Sequence, residues 1–125
     1  MFFSYSLDLN NFNAEKVVEL SFMFYGCTSL KSLNLSKFNS SDIYSFSSMF
    51  SRCTSLNSLD LSNFKTQNVI NMKGMFSDCS SLKYLNLSNF ITNNVDIMDN
   101  IFSGLNESCK IITQDQNLLI IVKNQ

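Results

Sequence analysis

The chain has 125 residues, 45% of them apolar and 13% aromatic, which suits a single domain with a well-filled core. Only 15% are charged, the net charge is -1, and no run of Lys or Arg is long enough to follow a phosphate backbone, so nucleic acid is not an expected partner. The lack of any His removes the commonest general base and metal ligand, and no apolar stretch reaches the roughly 18 residues of a membrane-spanning helix.

The opening Met1-Phe2-Phe3-Ser4-Tyr5 has no basic region and no sustained apolar segment, so it does not read as a secretory signal. A repeat then begins. Leu7, Leu9 and Phe12 return as Leu33, Leu35 and Phe38, as Leu59, Leu61 and Phe64, and as Leu85, Leu87 and Phe90. Phe24, Phe50, Phe76 and Phe102 keep the same step of 26, as do Cys27, Cys53 and Cys79. The units are 4–29, 30–55, 56–81 and 82–107, within one domain covering 1–125.

Each unit changes period half-way. Its first half, as in Leu56-Asn57-Ser58-Leu59-Asp60-Leu61, alternates leucine with polar residues, which predicts a short strand. Clusters such as Ser40-Ser41-Asp42 and Thr66-Gln67-Asn68 suit turns and helix N-caps. The second half places Val69, Met72, Met75, Phe76 and Cys79 on one helical stripe, which predicts a short α- or 3₁₀-helix. No unit can bury both of its apolar sides alone. The expected fold is therefore an α/β solenoid of the leucine-rich repeat type, a right-handed coil with a parallel β-sheet on one side and short helices on the other. Within the fourth unit the spacing departs, with Leu105 where a cysteine is due and Cys109 four residues later. Residues 108–125 read as a C-terminal cap, with strands expected over Lys110–Thr113 and Leu118–Val122. At the other end Leu7, Leu9, Phe12, Val17 and Leu20 have almost nothing before them, so the N-terminal repeat is expected to be adhesive, with end-to-end self-association as one outcome.

The string Met49-Phe50-Ser51-Arg52-Cys53-Thr54-Ser55-Leu56, followed by Leu59-Asp60-Leu61-Ser62-Asn63-Phe64 and then Val69, Met72 and Met75-Phe76, resembles the BspA-like leucine-rich repeat surface proteins. It is most similar to their branch with repeats of about 25 residues, found in bacterial lipoproteins and surface proteins and in protist surface antigens. The similarity covers about residues 7 to 107. The resemblance implies a cell-surface or extracellular location and a role in adhesion or protein binding, with a protein or glycan on a cell surface as partner.

The residues themselves offer little chemistry. Asp8 and Asp60 share a repeat position, but Asn34 stands between them and two strand spacings separate them by about 10 Å, which makes them poor partners for acid–base work. No catalytic, metal or cofactor set is expected, and the chain does not read as an enzyme. The cysteines follow the repeat rather than the close pairs of a zinc site, and they read as small buried hydrophobes with reduced thiols. Helices packed about 8 to 10 Å apart would also hold them beyond the roughly 7 Å reach of a disulfide, a limit that a tighter 3₁₀ side relaxes. The Phe and Met rows read as core. Asn34, Asn39, Asn86 and Asn106 open Asn-X-Ser glycosylation patterns, which an Asn- and Ser-rich chain generates by chance. What remains is the outer face of the sheet, and the candidate binding residues are Asp8, Ser32, Asn34, Ser58, Asp60, Tyr84 and Asn86. Asp60 reads there as a plain surface residue whose removal costs under about 0.5 kcal/mol. A binding module is thus the leading function, and a structural spacer or self-associating segment of a longer solenoid is the alternative.

Overall fold

The computed structural model describes residues 5–13, 15–38 and 40–125; Ser4 and the glycosylation pattern at Asn39 lie outside them. Among the described residues five short strands, β1 (Tyr5–Asp8), β2 (Leu30–Asn34), β3 (Ser58–Asp60), β4 (Tyr84–Asn86) and β5 (Lys110–Ile112), are followed by one helix, α1 (Gln116–Lys123). The strand pairing among the described residues is parallel and keeps the repeat register from Ser6 on, with Leu7 beside Leu33, Leu59 beside Leu85 and Leu85 beside Ile111, after one register shift between Tyr5 and Ser6. The ladders form two sheets, β1-β2 and β3-β4-β5. Between β2 and β3 the contact is looser, with Asn57 N–H reaching the Lys31 carbonyl at 3.4 Å where Lys83 N–H reaches Asn57 at 2.8 Å.

The second half of each unit forms consecutive turns, not the short helix expected from its apolar stripe. The hydrogen bonds explain the difference. In the first unit the N–H groups of Leu20, Phe22, Phe24 and Gly26 donate to Ser45, Ser47, Met49 and Ser51 of the next unit, at 2.9 to 3.0 Å. The intervening N–H groups of Met23, Tyr25 and Cys27 fold back three residues to Leu20, Phe22 and Phe24. The same alternation recurs one and two repeats on, through Phe46–Cys53 and Met72–Cys79. An α-helix would return every N–H beyond its first turn to the carbonyl four residues back in its own unit. Left-handed backbone at Phe22, Ser48, Gly74 and Asn100, and again at Gly26, Arg52, Asp78 and Gly104, also interrupts any helix while providing the positive φ that the third residue of a type II turn requires. The three-residue inward spacing is common to helix and turn tape, so periodicity alone did not separate them.

Between sheet and tape lies one continuous core. Phe24, Phe50, Phe76 and Phe102 stack with centroids 5.5, 5.8 and 6.0 Å apart, and Phe12, Phe38 and Phe64 form a second column at 5.7 and 5.6 Å. Such offset aromatic stacks add about 0.5 to 1.5 kcal/mol per pair beyond area burial.

A third column is polar. Ser40, Thr66 and Thr92 are buried at 1 to 2% exposure. The Ser40 hydroxyl accepts from Lys65 N–H and donates to the Lys65 carbonyl, and Thr66 treats Ile91 in the same way. Ser40 and Thr66 open turns, as their clusters predict, with Ile43 and Val69 N–H bonded to their carbonyls, and their hydroxyls serve in addition as inter-repeat staples. At Thr92 the next backbone is replaced by side chains: Oγ1 donates to the Asp115 carboxylate at 2.8 Å and accepts from Asn117 Nδ2 at 3.0 Å. Asp115 also accepts from Thr92 N–H and caps α1 through Leu118 N–H. The segment expected as a terminal strand over Leu118–Val122 is therefore helical. The Asp115 N-cap starts the helix, and its apolar face buries Leu118 against the last repeat.

Candidate functional site

Alternation along each strand turns the leucines inward and one polar row after another outward. One row is Asp8, Asn34, Asp60 and Asn86, and the register of β5 adds Ile112 to it. The other is Ser32, Ser58 and Tyr84, which β5 extends with Lys110. Asp8, Ser32, Asn34, Ser58 and Asp60 are exposed, while Tyr84 and Asn86 are half-buried. The structure thus brings the seven sequence candidates to one face. Lys110 and Ile112 were missed, although adding 26 to Tyr84 and Asn86 would have found them.

The Asp/Asn row also has a local structural role. The Oδ1 atoms of Asp8, Asn34, Asp60 and Asn86 each accept the N–H two residues on, from Asn10, Ser36, Ser62 and Ser88, at 2.9 to 3.0 Å. These are Asx-turns, which end each strand without needing glycine. Asp60 is exposed, as expected, and carries this turn bond in addition. Asp60→Asn should leave the urea midpoint unchanged, because Asn34 and Asn86 already serve in that role, whereas Asp60→Ala should cost about 0.5 to 1.5 kcal/mol. Equal midpoints for the two variants would show that the turn bond contributes nothing.

The face is not uniform. Leu9, Leu61 and Leu87 N–H donate to the carbonyls of Asn34, Asn86 and Ile112 in the next strand, but Leu35 makes no matching bond to Asp60. The gap opens a cleft of about 260 Å³ lined by Leu33, Asn34, Leu35, Ser36, Asp60, Ser62 and Asn63. The tape behind it stays closed, since Phe46, Ser48, Phe50 and Arg52 keep their bonds to the following repeat. The seam therefore opens on the sheet side alone.

The cysteines lie along the inner side of the tape. Cys53 and Cys79 are fully buried and donate to the Phe24 and Phe50 carbonyls at 3.2 and 3.0 Å; Cys27 and Cys109 are half-buried. Helix packing does not set the spacing of these thiols, because turns bonded directly across repeats sit closer than packed helices. Burial, with the neighbouring thiols adding to it, pushes Cys53 up to about 11 and Cys79 up to about 12. A thiol whose folded pKa is raised stabilises the fold fully below its unfolded value and loses that contribution as pH rises through the folded value. Stability should therefore fall from about pH 9 toward pH 11 to 12, and less steeply in Cys79→Ala. Alkylation followed by mass should modify Cys27 and Cys109 in the native state and Cys53 and Cys79 only in denaturant. Native modification of all four would contradict the burial.

No group of His, Cys, Asp or Glu among the described residues is arranged to hold a metal ion, and no helix among them is long and apolar enough to cross a membrane. Asn106 Nδ2 is engaged with the Ser80 carbonyl, which ties down one of the glycosylation patterns. The profile of a family described as "Mycoplasma protein of unknown function, DUF285" matches residues 1–114. The chain belongs to the DUF285 family. This DUF285 family is related to the BspA-like leucine-rich repeat proteins, in line with the 26-residue unit. No curated protein and no solved structure matches the chain.

Proposed function

We propose that this DUF285 chain is a non-enzymatic binding module, a right-handed leucine-rich repeat solenoid that presents the outer face of its sheet to a protein or glycan at the cell surface. The observation that carries the reading is the placement of exposed polar residues in rows on two parallel ladders, Asp8, Ser32 and Asn34 on β1-β2 and Ser58 and Asp60 on β3-β4. Recognition needs such groups fixed in position, and a parallel ladder backed by stacked Phe supplies the fixing. The surface location and the adhesive role rest on the resemblance to BspA-like proteins. A capture experiment with immobilised protein tests the reading, using purified cell-surface glycans and extracellular-matrix proteins as analytes. Ser58→Arg places a long charged side chain in the middle of the face without touching the core, and it should abolish capture. Capture that survives Ser58→Arg moves the site elsewhere.

A second reading is a self-associating spacer. Leu7, Phe12, Val18 and Phe22 are 40, 40, 51 and 57% exposed, which leaves apolar surface on the N-terminal repeat. Sedimentation over a range of concentrations discriminates the two. Dimers lost in Leu7→Lys, together with no captured analyte, would favour the spacer.

A further inference from the structure

We propose that the cleft between β2 and β3 is a saccharide subsite, holding one pyranose ring of a glycan through the Leu35 N–H, the Asn34 amide and the Asp60 carboxylate. The inference rests on the sheet-face reading and narrows it to one position and one ligand chemistry. Its starting point is a backbone donor. Leu35 is 1% exposed, yet its N–H finds no backbone acceptor among the described residues, while the equivalent groups of Leu9, Leu61 and Leu87 are all bonded. Buried N–H groups without a partner are rare, and one that opens onto a cleft is a donor aimed at whatever enters.

The walls supply the complementary groups. Asp60 uses Oδ1 for its turn with Ser62, which leaves Oδ2 without a protein hydrogen bond among the described residues. Asn34 likewise uses only Oδ1, for Ser36, so its Nδ2 remains a donor. Two donors, one charged acceptor and the Ser62 hydroxyl thus surround a space of about 260 Å³. That is below the roughly 300 to 1,000 Å³ of pockets for drug-sized ligands, and it admits one ring rather than an extended segment.

The chemistry selects among ligands. An anion would meet the Asp60 carboxylate. A bare cation would find that carboxylate alone, without a second one. An added peptide strand is excluded because β2 and β3 already flank the cleft. Sugar hydroxyls are at once donors and acceptors: one hydroxyl can accept from Leu35 N–H while its neighbour donates to Asp60. Tyr84, in register beside Ser58 one strand beyond the seam, offers a ring face for the apolar side of a following sugar.

Amide spectra of the 125-residue protein, titrated into the millimolar range with the methyl glycosides of mannose, galactose, glucose and N-acetylglucosamine, test the assignment. At least one glycoside should give saturable shifts that are largest at Leu35 and Ser62, and should slow hydrogen exchange at Leu35. Asp60→Asn keeps the Asx-turn but removes the charged acceptor, and should weaken binding about tenfold. Failure of every glycoside to move Leu35, equal affinity in Asp60→Asn, or the same shifts with glycerol would overturn the subsite. Shifts confined to Ser58 and Tyr84, or cleft shifts caused by a protein analyte alone, would overturn it while leaving the sheet-face reading standing. No response anywhere on the face, to sugars or to protein analytes, would overturn both.

Discussion

Phe64→Ala is expected to lower the unfolding free energy by about 3 to 5 kcal/mol. Phe64 is 1% exposed, stacks on Phe38 at 5.6 Å and touches Phe46 at 5.4 Å, so its removal empties a column in the middle repeats. Inter-repeat hydrogen bonds hold the backbone on either side, so the cavity can close only partly, and the lost ring contacts add to the lost transfer energy. Urea unfolding followed by far-UV circular dichroism measures the change. A loss under about 1 kcal/mol would mean that the column collapses onto the gap and that the repeats are not rigidly spaced.

The second large effect belongs to the C-terminal end. Asp115→Ala should cost about 2 to 4 kcal/mol, combining a lost helix N-cap with a buried Thr92 left with an unpaired N–H and a hydroxyl bonded only to Asn117. Asp115 makes these bonds at 2.8 to 3.0 Å to Thr92 and Leu118. Asp115→Asn should be intermediate, since it keeps an acceptor for Thr92 but loses the charge-assisted bonds. Hydrogen exchange over Gln116–Lys123 separates a local from a global effect: in Asp115→Ala these amides should lose protection before those of β3 and β4. Unchanged protection there would show that Leu118 burial alone holds α1.

The strands and the core columns were legible because leucine alternation and the 26-residue step are properties of side chains, and side chains are what a sequence records. The tape was not legible. Met72, Met75, Phe76 and Cys79 face inward in a helix and in a turn ladder alike, and only the destination of backbone N–H groups distinguishes them. The cap failed for a related reason: Leu118 to Val122 looks like a buried strand until Asp115 is seen capping a helix. On the candidate face the rows were read from alternation, whereas the Asx-turns of Asp60 and its equivalents and the open seam at Leu35 depend on distances that no residue pattern encodes.

The alternating tape places a parity rule on the chain. Donors at even steps from Leu20 reach the following repeat and donors at odd steps return to their own. Inserting a single residue between Leu20 and Cys27 would exchange the two sets, turning inter-repeat donors inward and moving Phe24 out of its column. An insertion of two residues restores the phase and adds one turn. Variation in repeat length within this segment should therefore come in pairs, and frame-shifting single insertions should be tolerated only in the loops outside it.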